Sequence, residues 1–300
     1  MTGVPSAMNQ IEKIVSRSAE VGGGVSVHRV LPSRQRRMIG AWCFLDHAGP
    51  ATFEAGQGMR VGPHPHTGLQ TFTWMIEGQI LHRDSLGFEQ VIRPGEVNLM
   101  TAGRGIAHAE ESLPGEARLH AAQLWIALPK TLSGIDPAFE HYPDLPTWQQ
   151  DGCDLTLLAG RLSEHQAPTR LHSDLLGVDF LAKQDTRLSL TLRPDFEYGI
   201  LPLEGKVVVG TESFGPDELA YLGSDRAQLD LSLAAGTRAL LLGGTPFDGE
   251  IVMWWNFVGH SRAEVIQAQR DWEAGHARFG QVKNFDGPPL VAPPLPWKPA

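Results

Sequence analysis

The chain has 300 residues, of which 42% are hydrophobic and 20% charged, so it has room for two modest domains, and wholesale disorder and a collagen-like repeat are excluded. Lys and Arg number 25 against 34 Asp and Glu, and the resulting net charge of −9 argues against direct nucleic-acid binding. Only two cysteines are present and no apolar run approaches the roughly 20 residues of a membrane span, so we expect a cytoplasmic protein without a disulfide framework or a membrane partner.

The N-terminal half has a sequence pattern that predicts β-structure. From about residue 25 to residue 129, short apolar or alternating segments are separated by Gly, Pro and Asp, a pattern typical of a β-sandwich or barrel. Strands are predicted at Thr71–Ile76, Gln79–His82, Val97–Met100 and Ala121–Leu128. A polar stretch with Pro137, Pro143 and Pro146 follows and indicates a link between domains. We therefore predict a first domain over residues 1–135 and a linker over residues 136–150.

The second half repeats this pattern, and we predict a second β-domain over residues 151–260. Its predicted strands are Leu155–Leu158, Leu188–Leu192, Lys206–Val209, Glu218–Leu222 and Ala239–Leu242. There is a faint internal repeat, because Ile76–Ile80 resembles Leu203–Val207 and Pro94–Val97 resembles Pro216–Leu219. Two tandem copies of one β-fold are the simplest explanation, although a Glu-Gly turn before a strand can also recur by chance.

The last predicted region, residues 261–300, combines a helix with a proline-rich tail. The helix is predicted from Arg262 to Ala274, with Ser261 as N-cap and Glu264 completing a capping box. The tail carries Pro288, Pro289, Pro293, Pro294, Pro296 and Pro299, which exclude further helix and central strand. We expect the tail to be extended and to wrap the surface; binding a partner is the less common alternative.

Two short motifs carry the candidate chemistry. His64 and His66 stand at positions i and i+2, and in an extended chain such residues point to the same face. His108 and Glu110 repeat that spacing about 40 residues later. Three imidazoles and one carboxylate could thus converge from two strands and leave one or two positions open on an octahedral metal, as in a catalytic site. A lone His-x-His is often only a polar pair on a strand, and the second pair is what favours a metal site.

Around these motifs the chain resembles the pirin family of the cupin superfamily, nearly from end to end. The matching segments are Phe44–Pro50, His64–His66, Glu77–Gly78, His82–Gly87, Thr101–Glu110, Gln123–Trp125 and Met253–Phe257. The resemblance implies an all-β fold of two tandem cupin barrels (double-stranded β-helix, or jelly-roll) with a C-terminal helix. It also implies one metal, usually iron, in the N-terminal barrel, held by His64, His66, His108 and Glu110.

The chain also departs from the family pattern. A general cupin often takes its carboxylate from a position near Gln70, but Gln is a weak metal ligand, so Glu110 is the better candidate. Pirins frequently carry Arg-Gly-Phe-Glu-Thr after the His-x-His, whereas this chain has Thr67–Thr71 with the sequence Thr-Gly-Leu-Gln-Thr, which puts the pocket wall and the substrate in doubt. The second half has no His-x-His, and no second metal is expected there.

Several other polar and aromatic residues are left out of the predicted site. His82 and Asp84 precede a turn, so a structural role is favoured for them over a place beside the site. His47 has two interpretations: it lines the pocket, or it makes a hydrogen bond that holds its loop in place. The second is favoured at least as much as the first. Trp254, Trp255 and Phe257 are expected to pack in a core or an interface.

The resemblance points to two functions. The leading hypothesis is a quercetin 2,3-dioxygenase-like oxidoreductase that uses Fe(II) and O₂ to cleave a flavonol or a related aromatic enol, with Glu110 as candidate base as well as ligand. Mn, Ni, Cu and Zn are alternative metals. The rival is a non-catalytic, iron- or redox-sensing regulator that binds a protein partner, either a transcription factor or a metabolic enzyme. A cupin that binds a small acid without turnover is a third reading.

Overall fold

The computed structural model describes residues 11–22, 24–54 and 56–297. In these residues the regular secondary structure is almost entirely β-strand with one α-helix, and the all-β prediction with a C-terminal helix is confirmed. No helix in the described ranges is long and apolar enough to cross a membrane.

Contacts between residues divide the chain into two units that are each discontinuous in sequence. The N-terminal unit comprises Ser18–Arg29, Cys43–Asp144 and the chain from Asp248 onward. The C-terminal unit comprises the chain up to Arg17, Val30–Trp42 and Leu145–Phe247. The helix and tail thus belong with the N-terminal unit, whereas the first strand belongs with the C-terminal one. The continuous domain boundaries given above stay a prediction.

The N-terminal unit consists of a seven-stranded sheet, a four-stranded sheet and a C-terminal hairpin. The strands of its two sheets are β2 (Arg17–Val21), β3 (Val25–Leu31), β4 (Trp42–Thr52), β5 (Arg60–His66), β6 (Leu69–Glu77), β7 (Ile80–Asp84), β8 (Glu89–Ile92), β9 (Val97–Thr101), β10 (Ile106–Ser112), β11 (Arg118–Ala127) and β12 (Ala138–Tyr142). The larger sheet has the order β12-β9-β6-β11-β4-β3-β2 and the smaller one β5-β10-β7-β8. All pairings between these strands that the structure gives are antiparallel.

The C-terminal unit has the same two sheet sizes. Its strands are β1 (Glu12–Val15), β13 (Thr147–Gln150), β14 (Cys153–Ala159), β15 (Arg161–Leu162), β16 (His165–Gln166), β17 (Leu175–Ala182), β18 (Thr186–Thr191), β19 (Glu197–Glu204), β20 (Val207–Val209), β21 (Glu212–Phe214), β22 (Glu218–Gly223), β23 (Gln228–Leu233) and β24 (Arg238–Gly244). The seven-stranded sheet has the order β1-β22-β19-β24-β17-β14-β13, and the four-stranded sheet β18-β23-β20-β21.

The two units repeat one topology. Position by position, β6 corresponds to β19 and β9 to β22, which are the strands that carry the internal repeat predicted from the sequence. In the same way β5 and β10 correspond to β18 and β23. In the C-terminal unit these two strands bury Leu188, Leu190 and Leu231 in a leucine-rich core. Leucine offers no donor atom, so none of these three side chains can bind a metal ion.

The remaining elements pack on the N-terminal unit. They are β25 (Val252–Trp254), β26 (Phe257–Gly259), the helix α1 (Arg262–Glu273) and two short 3₁₀ helices at Lys130–Leu132 and Ala277–Phe279. The Ser261 hydroxyl accepts the Glu264 N–H at 3.3 Å, as the predicted cap requires. Val265 and Ala268 are buried in one cluster with Phe257, which confirms that this aromatic residue packs in a core.

The tail lies along the N-terminal unit. Trp272 donates from Nε1 to the Leu290 carbonyl at 3.0 Å, and Gln269 donates to the Pro293 carbonyl at 3.0 Å. Further along the same segment, Leu290 donates its N–H to the Pro63 carbonyl. The tail therefore wraps the surface of this unit, as expected. Pro299 lies outside the described residues.

Candidate metal centre

Three neighbouring strands of the four-stranded sheet each place two polar side chains on one face. The strands are β5, β10 and β7, which are adjacent in that order. Side chains at i and i+2 of a strand share a face. The three pairs are His64 and His66 on β5, His108 and Glu110 on β10, and His82 and Asp84 on β7. The sequence predicted the first two pairs as a site, and the third follows the same spacing.

The strand register aligns these pairs. His108 lies opposite His64 of β5 on one side and opposite Asp84 of β7 on the other. Glu110 lies opposite His82. Between His108 and Glu110 the pairing with β5 shifts, because β5 contains one extra residue near Pro63, which has no N–H to donate to the ladder.

Three imidazoles form a compact cluster. Ligand nitrogens of His64, His66 and His108 all lie within 4.8 Å of one another, and all three residues are buried. The Nε2 atoms of His66 and His108 are 3.1 Å apart. Two nitrogens that each bind one metal at about 2.1 Å lie roughly 3 to 3.4 Å apart, so this separation suits a shared ion. His64 donates from Nδ1 to the Gly62 carbonyl at 2.8 Å, which leaves its Nε2 free for the cluster.

Burial keeps these imidazoles in the form that binds metal. Burial lowers the pKa of His64 to about 4, although the Gly62 carbonyl acts against the shift. Burial, followed by repulsion from neighbouring histidines, lowers the pKa of His66 and of His108 well below the usual value. All three rings are therefore neutral at pH 7 and keep a lone pair for a metal ion. The donor set fits a divalent first-row metal.

Glu110 occupies a different position from the three-histidine cluster. It is half-buried, and its carboxylate groups with nitrogens of His82 and His108 within 4.8 Å. Burial raises the pKa of Glu110, and His82 acts against this shift. The structure thus places the four predicted ligands on one sheet face, in two overlapping triads that share His108. A His and Glu cluster that could hold a metal is present.

The polar residues that were left out of the predicted site lie in different places in the structure. His82 and Asp84 are buried beside His108, and their spacing of i and i+2 is the signal that could have identified them. Asp46, the neighbour of His47 in sequence, makes a two-pronged ion pair with Arg29. His47 lies 2.9 Å from His120, measured between Nε2 atoms, and belongs to neither triad.

Gln70 does not take part in the cluster. Its side chain donates to the Thr101 hydroxyl at 3.0 Å. On β6 it alternates with Thr71 and Thr73, and Thr73 hydrogen bonds to Gln123 on β11. Gln70 therefore lies on the opposite face of β6 from Thr73.

An aromatic wall adjoins the three imidazoles. Trp125 stands edge-on to His66, with ring centroids 5.1 Å apart, and Phe44 stacks on Trp125 at 4.0 Å. The Arg29 guanidinium lies 4.6 Å from the centre of the Phe44 ring. The cluster is thus bordered by aromatic surface, and the partly exposed Arg29 guanidinium packs on the Phe44 ring of that surface.

Comparisons with known proteins agree with this geometry. The profile of the family described as Pirin matches residues 24–126, and that of the Pirin C-terminal cupin domain matches residues 177–280. A Pseudomonas aeruginosa protein named "Putative quercetin 2,3-dioxygenase" is 64% identical over 96% of this chain and 91% of its own length. A "Pirin-like protein" of Caulobacter vibrioides is 36% identical over 89% of this chain and 95% of its own.

A solved structure shows the same fold. The crystal structure of quercetin 2,3-dioxygenase from Acinetobacter baumannii aligns with a TM-score of 0.94 at 49% identity and covers 97% of each chain. The architecture is therefore that of two tandem cupin domains.

Proposed function

This chain belongs to the pirin family, and from that premise we propose that it is a metal-dependent dioxygenase that uses O₂ to cleave a flavonol or a related aromatic enol. The observation that carries the proposal is the cluster of three buried imidazoles with lowered pKa values. The names of two relatives, "Putative quercetin 2,3-dioxygenase" in Pseudomonas aeruginosa and "Quercetin 2,3-dioxygenase" in Acinetobacter baumannii, support the substrate class.

His64, His66 and His108 hold the metal in this proposal, with Glu110 as the fourth ligand. We favour Fe(II), and Mn, Ni, Cu and Zn suit the same imidazole-rich donor set. When bound, a redox-active metal of this kind supplies one-electron chemistry between an electron-rich enol and O₂. The partners of the protein are then a small aromatic substrate and O₂.

In this proposal Glu110 is also the base that accepts a proton from the substrate. Its raised pKa makes the carboxylate a better proton acceptor than an exposed glutamate. In the proposed reaction a Glu110 carboxylate oxygen accepts the proton of the substrate hydroxyl as the enolate forms. Glu110 is half-buried, so it is more accessible to a bound molecule than the three buried imidazoles are.

The aromatic wall contributes binding and exclusion of water. Trp125 and Phe44 are 6% and 7% exposed and border His66, so they present apolar surface on which an aromatic substrate can pack. The burial of His66 and His108 keeps bulk water from their nitrogens. Both cysteines of the chain, Cys43 and Cys153, are buried free thiols, which agrees with a reducing compartment such as the cytoplasm.

Oxygen consumption tests the proposal. The protein is reconstituted anaerobically with Fe(II), and oxygen uptake is measured with and without quercetin beside the loss of quercetin absorbance. His64→Ala removes one ligand, and His172→Ala removes a half-buried imidazole of the C-terminal unit as a matched control. We expect quercetin-dependent uptake in the wild type and in His172→Ala only. Uptake no greater than that of His64→Ala would refute dioxygenation of this substrate.

A further inference from the structure

His82 and Asp84 form a hydrogen-bonded chain that ends on His108. His108 Nδ1 lies 3.3 Å from His82 Nδ1, in hydrogen-bonding geometry. His82 Nε2 lies 3.2 Å from the Asp84 carboxylate oxygen Oδ2. The three side chains are 1–2% exposed, so water does not compete strongly for these contacts.

The Asp84 carboxylate is itself held in place. Its Oδ1 accepts the backbone N–H groups of Leu86 at 2.9 Å and Phe88 at 3.1 Å, which fixes the turn after β7. Its other oxygen is therefore directed at His82. A carboxylate can only accept hydrogen bonds, so in this contact His82 carries a proton on Nε2.

The position of that proton determines the state of His108. With its proton on Nε2, His82 presents a lone pair at Nδ1, and it accepts the Nδ1 proton of His108. A neutral His108 with its proton on Nδ1 has a lone pair on Nε2, which is the atom 3.1 Å from His66 Nε2. The ring of His82 cannot turn freely, because it stacks on Phe139 with centroids 4.4 Å apart.

We propose that Asp84 and His82 are positioning residues that fix the tautomer of His108 and so direct its Nε2 lone pair at the metal. The inference rests on the proposed metal site and deepens it. Ligating histidines commonly donate their second N–H to such a partner, and loss of that partner weakens metal binding. Here the partner is a second histidine that is oriented in turn by a carboxylate.

Asp84→Asn is the most discriminating substitution. The amide keeps an oxygen for the Leu86 and Phe88 N–H groups, so the turn is retained. Its NH₂ replaces Oδ2 and donates to His82 Nε2, so the His82 proton moves to Nδ1. His108 must then accept at Nδ1 and carry its proton on Nε2, where it blocks the lone pair needed by the metal.

The test combines tautomer and metal-binding measurements. Histidine ¹⁵N NMR of the metal-free protein assigns the protonated nitrogens of His82 and His108, and Co(II) titration followed by absorption spectroscopy gives the affinity and the ligand-field bands. Asp179→Asn is the control, because it makes the same change in a buried Asp of the C-terminal unit. His82→Phe keeps an aromatic ring for Phe139 but offers His108 no acceptor.

We expect Asp84→Asn to exchange both tautomers and to weaken Co(II) binding about 10- to 100-fold, with altered absorption bands. His82→Phe should weaken Co(II) similarly, and Asp179→Asn should bind it as the wild type does. Unchanged tautomers together with affinities within twofold of the wild type would overturn the inference while leaving the proposed function intact.

Two further outcomes separate the inference from the proposed function. If the wild type binds no Co(II), the metal site and the proposed function fail, and the NMR spectra still decide the tautomers. If His64→Ala retains Co(II) while His82→Phe abolishes binding, the ion is held by His82, His108 and Glu110. That result would overturn the positioning role of His82.

Discussion

The backbone N–H of Leu290 donates to the carbonyl oxygen of Pro63 over 2.7 Å, so the C-terminal tail is bonded to the residue immediately before the candidate ligand His64. Pro63 lies where the register of β5 shifts against β10. The Arg60 side chain, at the start of β5, also donates to the Asp286 carbonyl of the tail. The tail therefore supports the edge of the sheet that carries the candidate metal centre.

Leu290→Pro removes this N–H and should destabilise the protein by about 1 kcal/mol, the net value of one hydrogen bond. Because Pro63 is adjacent to His64, we also expect a measurable loss of Co(II) affinity. Val291→Pro is the matched control, since Val291 is 87% exposed. Urea unfolding and Co(II) titration measure the two effects. Equal stability and affinity in the two variants would show that the tail does not support β5.

Removing two ligands at once tests the metal site without reference to any substrate. The double variant His66→Ala/His108→Ala loses both nitrogens of the pair that lies 3.1 Å apart. His64 and Glu110 alone cannot retain a divalent ion against a chelator, so elemental analysis after mild chelator treatment should find metal in the wild type and in His172→Ala but not in the double variant. Equal metal content in all three proteins would place the ion elsewhere.

Much of the fold follows from local pattern. Helix α1 was predicted to begin at Arg262, where it does begin, because Ser261 and Glu264 cap it in the way their side-chain chemistry favours. Strand β6 was predicted as Thr71–Ile76 and spans Leu69–Glu77. Alternation and capping depend on neighbours in sequence, so they are visible without the structure.

Strand pairings between residues far apart in the sequence could not be predicted in this way. Strand β1 pairs with β22, about 200 residues away, and nothing in its four-residue sequence specifies that partner. His82 and Asp84 have the same spacing as the two predicted pairs, yet the following turn favoured a structural role. Asp84 does hold that turn, and it also contacts His82. The sequence does not show that this pair lies beside His108 and Glu110, because that depends on the register of β7 against β10.

The metal-free protein should lose stability as the pH falls from 6.5 toward 4. The unfolded chain takes up protons on its histidines near pH 6.5, whereas folded His64 does so only near pH 4. Within this window the unfolded state binds more protons, so the free energy of unfolding decreases as the pH decreases. His64 accounts for about 3 kcal/mol, and His66 and His108 act in the same direction. Glu110 has a raised pKa, so the folded state takes up this proton before the unfolded state does. Its effect on stability therefore has the opposite sign, but it is one group against three histidines.

Urea unfolding at pH 7.5 and at pH 5.0 measures this dependence. The double variant His66→Ala/His108→Ala lacks two of the three buried imidazoles and should lose less stability between the two pH values than the wild type does. The same slope in both proteins would mean that these histidines do not remain neutral in the folded state.

Gly68 joins β5, the strand of His64 and His66, to β6 in a conformation that requires glycine. Its φ is +69°, and a Cβ there would overlap the Val258 carbonyl oxygen. Gly87 also has a positive φ, +98°, but a Cβ at that position meets no atom within 4 Å. Gly87→Ala should therefore cost only the backbone strain, about 1–2 kcal/mol, whereas Gly68→Ala must also displace β26. We expect Gly68→Ala to be destabilised by at least about 3 kcal/mol and to bind Co(II) less tightly, because Gly68 lies only two residues after His66. Thermal unfolding and Co(II) titration of the two variants make the comparison, and equal losses of stability would show that β26 yields without cost.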